Sequence, residues 1–321
     1  MMKKFFKFCG TLALVLIVLG VILWGIGTVT VGTQTMNEMV QKLTNGKIVM
    51  DLEGARVSIE NVLESNAIYD IDEAQTFDYK YDVWKGNVEK TLVSEQAVSK
   101  LDIELGGCMF EIKDSEDDAI YVEYNGTGKS QAYVKDDKLH VKVLNGNNWS
   151  VVNWNQDSNS NCMTLYMPLD TVVEEIDLDL GAGQMKLDYL KAKEVEMDLG
   201  AGQILAEGMQ VEKIALSIGA GDIVLEQAQL GEVQAKVGAG NCEISGTVTG
   251  DIDAECAMGN VTFKLAGAET DFNYEIQCVT GNITVGEREY SGVSQEQSIN
   301  NQSAKTMDLE CAMGNVEVFF E

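Results

Sequence analysis

The sequence predicts an all-β protein: a single-stranded parallel β-helix, right-handed, with glycine corners, preceded by one N-terminal transmembrane helix. Three observations predict it. A corner motif recurs every 19 residues, apolar residues alternate with polar ones on both sides of that corner, and the composition combines 31 glycines with one proline. Proline removes hydrogen-bond donors from strands, whereas glycine supplies the positive φ that tight corners need.

The first 32 residues are predicted to form a cytoplasmic tip and a transmembrane anchor. No charged residue occurs between Lys7 and Glu38, and the run from Phe8 to Val31 is almost wholly apolar, long enough for a bilayer core of about 30 Å. A cleaved signal peptide would have a shorter apolar region and a small-residue cleavage site. Because Lys3 and Lys4 also precede the run, the positive-inside rule predicts a single-pass protein of the cell membrane, with a cytoplasmic N-terminus and an extracytoplasmic C-terminal domain.

Residues 33–100 are predicted to form an extracytoplasmic stalk and an N-terminal cover for the solenoid. Met36 to Leu43 has the pattern of a short amphipathic helix, and Phe77 to Trp84 alternates like an edge strand. The solenoid domain is predicted over residues 101–321. Three strands are expected in its first part, at Ile120 to Tyr124, Leu139 to Val143 and Thr164 to Met167.

The repeat consists of corners that end in glycine. These glycines are Gly183, Gly202, Gly221, Gly240, Gly259, Gly281 and Gly314; the first five are 19 residues apart, and the last two follow at spacings of 22 and 33. An outlying earlier copy runs from Leu105 to Cys108. Such a fixed period is the signature of a repeat architecture.

Apolar residues recur two apart on both sides of each corner. Ile176, Leu178 and Leu180 precede the first corner, and Met185 and Leu187 follow it. Period two indicates strands with one buried face, so each repeat is interpreted as strand, corner, strand and a looser return. One such unit cannot bury its inward row alone, whereas units stacked about 4.8 Å apart form a continuous core. Right-handed winding is the default for parallel crossovers.

Several motifs together resemble those of a known family. They are the lysine-led anchor, the segment Tyr166 to Asp170 leading into Ile176 to Gly183, and the Gly-Asn-Val or Gly-Asn-Ile corners at Gly259, Gly281 and Gly314. They resemble the bacterial adhesin-like β-strand-repeat family, domain-of-unknown-function family 4097, over about residues 100–321. The resemblance implies a β-helical extracytoplasmic domain of a kind common in Gram-positive bacteria, with no established catalytic residues.

The formal charge of −28 restricts the partners. Nucleic acid is excluded as a partner, and anionic lipid headgroups are unfavourable, because such a surface repels both. A charge that only keeps a β-rich surface soluble is the alternative interpretation. Besides the membrane, the expected partners are cell-wall or other envelope components, or a membrane protein.

The sequence predicts no catalytic residue, no cofactor and no metal site. His140, the single histidine, is expected on the outward face of a strand, and Arg56 and Arg288 lie outside the regular coils. The residue after each corner glycine is Gln184, Gln203, Asp222, Asn241, Asn260, Asn282 or Asn315. A calcium-binding β-roll would need aspartates there, so a structural ladder of amides is expected, in which asparagine can also adopt left-handed geometry.

The predicted function is a non-enzymatic role in cell-surface adhesion or envelope interaction and sensing. The alternative is a carbohydrate-active β-helix enzyme, a lyase or hydrolase, which a cleft with converging carboxylates would favour. Recognition is expected at two polar loops, Asn145 to Asn161 and Gly286 to Lys305, and the candidate binding residues there are Trp149, Trp154, Arg288 and Tyr290. The acidic outward face of the strands is expected to stay solvated.

Six cysteines follow the predicted span. Cys256, Cys278 and Cys311 occupy one equivalent inward position in what the repeat predicts to be three successive turns. They are predicted to be buried thiols, since free cysteine behaves as a small hydrophobe. For Cys108, Cys162 and Cys242 both oxidation states remain open.

Overall fold

The computed structural model of the protein describes residues 49–51, 56–58, 77–144, 161–291 and 294–321. The chain divides into two compact units, residues 1–75 and 76–321. In the first unit, β1 (Val49–Asp51) pairs antiparallel with β2 (Arg56–Ser58).

The predicted anchor and the predicted helix from Met36 to Leu43 lie outside the described residues. Within the described ranges, no helix has the length and apolar character needed to span a bilayer.

The described strands of the second unit form one continuous sheet of 21 strands, and a 3-10 turn at Glu269–Asp271 lies between two of them in the chain. In chain order they are β3 (Trp84–Lys85), β4 (Val88–Ser94), β5 (Lys100–Leu105), β6 (Cys108–Asp114), β7 (Ile120–Asn125), β8 (Lys129–Lys135), β9 (Lys138–Leu144), β10 (Cys162–Met167), β11 (Val173–Asp188), β12 (Lys191–Glu207), β13 (Gln210–Ile218), β14 (Asp222–Val237), β15 (Asn241–Val248), β16 (Ile252–Cys256), β17 (Asn260–Leu265), β18 (Asn273–Cys278), β19 (Asn282–Val285), β20 (Arg288–Ser291), β21 (Gln295–Ile299), β22 (Thr306–Cys311) and β23 (Asn315–Phe320).

The second unit is an all-β solenoid of parallel rungs. Each rung has a strand on a first face, a corner, and a strand on a second face. In the regular part each residue lies beside the equivalent residue of the next repeat. Leu180 thus lies beside Leu199, and Leu199 lies beside Ile218. The inward side chains of both faces are buried, as the alternation predicts.

The return between rungs is more ordered than predicted. A third inward row follows the second face and continues the core; it consists of Leu190 and Ala192, Met209 and Val211, and Ala228 and Leu230, all at most 4% exposed. Backbone hydrogen bonds join this row to the same row of the next rung; for example, Gln210 N donates to Leu190 O at 2.9 Å. The return is therefore a short third side of the solenoid.

The corner glycines are required chiefly by the close stacking of backbones. A Cβ atom on Gly202, Gly240, Gly259 or Gly314 would overlap the carbonyl oxygen of the corner glycine in the neighbouring rung. Positive φ, which the sequence interpretation expected at the corners, occurs only at Gly183 and Gly202 among the seven glycines. The expected reason was therefore incomplete, because steric contact between rungs excludes a side chain even where φ is negative.

The order of the last rungs differs from their order in the chain. β22 lies between β16 and β18, and β23 lies between β17 and β19, all in parallel. The excursion predicted from Gly286 to Lys305 contains β20 and β21, which pair antiparallel with β19 and β18 and cap this end of the stack. The final rung of the chain is thus inserted between two earlier ones.

The first rungs are rearranged in the same way. β5 and β6 lie between the regular rung of β11 and an outer rung formed by β9 and β10. The three strands predicted in this region correspond to β7, β9 and β10, whereas β8 was not predicted. β7 and β8 are antiparallel to β10 and β9, and β4 and β3 pair antiparallel with them in turn and close this end of the stack.

The predicted edge strand from Phe77 to Trp84 is mostly wrong, because only β3 pairs, with two residues of β8. The segment before β3 is instead held by hydrogen bonds to the buried side chain of Gln131. Its Oε1 accepts from Asp78 N at 3.1 Å, and its Nε2 donates to the carbonyl oxygens of Asp78 at 2.8 Å and Tyr81 at 3.3 Å. Hydrogen bonds to a side-chain amide there take the place of the backbone hydrogen bonds that a strand would make.

Candidate functional site

The outward side chains of the first face line an acidic groove of about 700 Å³ that crosses six rungs. Its carboxylates are Glu175, Asp177, Glu194, Glu196, Glu232, Asp251, Asp253 and Asp308, and its one lining lysine is Lys213. The sequence interpretation expected a flat, solvated ladder here. The surface is concave where the short side chain of Ala215 lies between Glu196 and Gln234 in adjacent strands.

Carboxylates beside one end of this groove hold protons more tightly than usual. Burial, followed by repulsion from Asp198 and Asp177, raises the pKa of Asp179 to about 7. Burial also raises the pKa of Asp177, with Asp102 as the next cause, and the pKa of Glu196, with Asp198 as the next cause. Like charges one strand apart repel, which disfavours the ionised form of each carboxylate and raises its pKa.

At this end of the first face, lysine amines pair with carboxylates on the adjacent strand. The Lys142 amine lies 2.7 Å from Glu104, and the Lys100 amine lies 2.7 Å from Glu175. The hydrogen bond from Lys100 lowers the pKa of Glu175. These pairs follow the inter-strand register, which places Lys142 beside Glu104 and Lys100 beside Glu175.

His140 faces outward, as predicted, and is held on two sides. Its Nδ1 lies 2.5 Å from Asp102 Oδ2, and its ring stacks on Tyr133 at 4.8 Å between centroids. This contact makes the histidine part of the pattern of polar contacts between adjacent strands on this face.

An amide ladder follows the corners. Asn241 donates to Asp222 at 2.6 Å, Asn260 to Asn241 at 2.6 Å, and Asn315 to Asn260 at 2.9 Å. The predicted ladder is therefore present in these rungs, although none of its asparagines has positive φ. Within the described ranges, no group of three or more histidine, cysteine or acidic side chains is arranged to hold a metal ion.

The candidate binding residues are distributed as follows. Arg288 and Tyr290 lie on β20; the Arg288 guanidinium pairs with Glu269 at 2.9 Å, and the Tyr290 ring packs partly against the core opposite Ile283. Trp149 and Trp154 lie outside the described residues.

Three thiols form a column just inside the corners. Cys311 lies in register between Cys256 and Cys278, so the spatial order differs from the chain order that the sequence interpretation assumed. All three are free and at most 3% exposed. Cys108, Cys162 and Cys242 are also free, and Cys162 alone among the six is partly exposed.

A second concavity, which the sequence interpretation missed, lies at the N-terminal end of the stack. This aromatic pocket has a volume of about 350 Å³. It is lined by Tyr79, Tyr81, Asp82, Val83, Trp84, Lys85 and Lys129. The signal available in the sequence was the density of aromatic residues in Tyr79 to Trp84, which had been interpreted only as a strand.

The fold and these surfaces define a repetitive β-solenoid protein whose concavities open on its outer surface. The chain belongs to the Toastrack DUF4097 family, whose model matches residues 98–286 and 173–319. The resemblance drawn from the sequence is thereby confirmed.

Three solved structures are similar to this chain. A "putative cell adhesion protein" from Clostridium sporogenes is 13% identical, with 73% of this chain and 98% of that chain covered and a TM-score of 0.32. A "putative adhesin" from Bacteroides fragilis is 13% identical, with coverages of 74% and 97% and a TM-score of 0.38. Another from Parabacteroides merdae is 14% identical, with coverages of 73% and 98% and a TM-score of 0.29. No match is found among the curated proteins.

Proposed function

We propose that this protein is anchored in the cell membrane by residues 8–31 and binds a component of the cell envelope with its extracytoplasmic solenoid, without turning that component over. The lysines before the apolar run support the orientation. The acidic charge supports an exterior facing water and away from anionic headgroups. A right-handed winding remains the prediction for the solenoid.

The observation that carries the binding role is the repeating exterior of the first face. Its outward side chains recur in register from rung to rung as ion pairs and ladders, such as Lys236 with Glu255 at 2.5 Å and Gln234 with Asp253 at 2.9 Å. A repeated surface of this kind presents many similar contacts to an extended partner. General acid–base chemistry instead needs one group whose surroundings differ from those of its neighbours.

A second candidate, a glycan-cleaving enzyme, has one observation in its favour. The groove contains converging carboxylates, and the pKa of the nearby Asp179 is raised to about 7, as in a general acid. However, Asp179 does not line the groove, and its pKa is raised first by burial and then by repulsion from neighbouring carboxylates such as Asp198 and Asp177. The groove's one lining lysine, Lys213, pairs with Glu232 at 3.0 Å.

Two measurements on the full-length chain test the proposal. Protease added to protoplasts should remove the acidic domain and leave a short N-terminal remnant; protection of the whole chain would contradict the topology. The detergent-solubilised protein should sediment with cell-wall or membrane fractions and should release no reducing sugar from them. Glycan turnover abolished by Asp179→Asn would establish the enzyme instead.

A further inference from the structure

The aromatic pocket differs in composition from the surface of the regular rungs. Between residues 171 and 265 the sequence contains only two aromatic residues, Tyr189 and the buried Phe263. The pocket combines Tyr79, Tyr81 and Trp84 within six residues of chain. Tyr79 is 62% exposed, so a large apolar ring faces solvent with little contact of its own. Exposed aromatic side chains in a concavity are typical of binding sites.

The floor of the pocket is rigid. The ring of Tyr81 stacks on Tyr133 at 4.0 Å between centroids, with an interplanar angle of 11°. Gln131 holds the turn that carries Tyr81 by two hydrogen bonds that it donates and one that it accepts, and β3 pairs Trp84 with Ser130. A site held in this way loses little conformational entropy when a ligand binds.

The charge of the pocket is opposite to that of the groove. Two amines, on Lys85 and Lys129, line it together with the single carboxylate of Asp82, whereas the groove has eight carboxylates and one lysine. Lys85 is exposed. On the second face of the same end, the Lys90 amine lies over the rings of Tyr121 and Tyr166, at 4.8 and 4.0 Å from their centroids. Aromatic rings combined with amines therefore recur here.

We infer that the aromatic pocket is a subsite for one sugar unit carrying a carboxylate or phosphate. A pyranose ring has an apolar C–H face that packs against an aromatic ring, and Tyr79 offers such a ring beside the rigid surface of Tyr81. The Lys85 amine is placed to attract the anionic group. This inference deepens the proposed function, on which it rests, by naming the chemistry of the envelope component. The pocket volume of about 350 Å³ is in the range for a small ligand.

The test uses the full-length chain in detergent micelles, with trigalacturonic acid and its fully methyl-esterified form as probes, measured by calorimetry. The acid should bind more tightly than the neutral ester. Tyr79→Ala should weaken binding of the acid at least about tenfold. Lys85→Ala should weaken it about three- to tenfold and leave binding of the ester unchanged. The control is Tyr189→Ala, which removes another tyrosine of similar exposure, 57%, from a regular rung and should change nothing.

Equal binding by wild type and Tyr79→Ala, or absence of binding by the wild type, would overturn the inference. Equal affinity for the acid and its ester would also overturn it. Displacement of the acid by choline would overturn it too, because an aromatic cage with a carboxylate binds quaternary ammonium groups.

The subsite and the proposed function can fail separately. Envelope fractions that bind wild type and Tyr79→Ala equally would refute the subsite and leave the proposed function intact. Tyr79-dependent binding of the acid by a protein that binds no envelope fraction would refute the proposed function alone.

Discussion

A Cβ atom on Gly259 would overlap the carbonyl oxygen of Gly240, the corner glycine of the neighbouring rung. Gly259→Ala should therefore force two rungs apart and destabilise the solenoid by about 3 kcal/mol or more. Thermal unfolding of the full-length chain, followed by circular dichroism, measures this change. Met258→Ala is the control, because this neighbouring corner side chain is 38% exposed and should cost little. Equal effects of the two substitutions would contradict the steric explanation.

The amide ladder predicts a difference between two asparagines. Asn260→Ala removes one hydrogen bond donated to Asn241 and one accepted from Asn315, and should cost about 1–2 kcal/mol. Asn282→Ala should cost clearly less, since its Oδ1 is buried without a partner and its Nδ2 makes only a 3.4 Å contact with Thr284. Denaturant midpoints at constant slope measure both effects. A larger loss for Asn282→Ala would show that the ladder does not stabilise the rungs.

Stability should fall as pH rises through the acidic range. The pKa of Asp179 is raised from 3.8 to about 7 in the folded state, so the folded protein binds the proton more tightly than the unfolded chain does. The associated stability is fully present below about pH 4 and is lost as pH rises to about 7. Allowing for solvent screening, the loss attributable to this residue is on the order of 2 kcal/mol.

Asp179→Asn should remove that part of the pH dependence, measured as the free energy of unfolding between pH 4 and 8. Ser217→Ala, two rungs further along the same column, should keep the wild-type profile. An unchanged slope in Asp179→Asn would show that this carboxylate is not the source of the effect.

The thiol column tests the order of the rungs. Adjacent in-register strands lie about 4.8 Å apart, within the Cα separation that a disulfide needs, whereas positions two rungs apart lie at about 9.6 Å, beyond it. Forced oxidation should therefore link Cys311 to Cys256 or to Cys278, as peptide mapping by mass spectrometry would show. A Cys256 to Cys278 disulfide would indicate that the rungs stack in chain order.

Alkylation of the native protein should modify Cys162 before the other five cysteines of the second unit. Cys162 is partly exposed, whereas burial raises the pKa of Cys242 and of Cys256 to about 12 and so keeps them protonated. Iodoacetamide labelling followed by mass spectrometry, with and without denaturant, measures the order. Rapid native labelling of Cys256 would mean that the corner opens.

The sequence alone determined the period of the regular rungs, their strands and the two buried rows on either side of each corner. Alternation such as Ile176, Leu178, Leu180 is local, and any stack that buries one face of each strand must place these residues inward. The corner glycines were also recognisable from their fixed spacing. The steric reason for them was not, because the overlapping carbonyl belongs to another rung.

Only the tertiary structure decided the order of the rungs at both ends. Segments with equivalent alternating patterns can pair equally well by local criteria, so the choice depends on long-range packing. The sequence contained one unused indication: the run Cys-Ala-Met-Gly-Asn-Val occurs at Cys256 to Val261 and again at Cys311 to Val316, and the structure places these two runs side by side. The aromatic pocket also depended on tertiary structure, since it needs Gln131 and Tyr133 of β8 to hold a segment about 50 residues earlier in the chain.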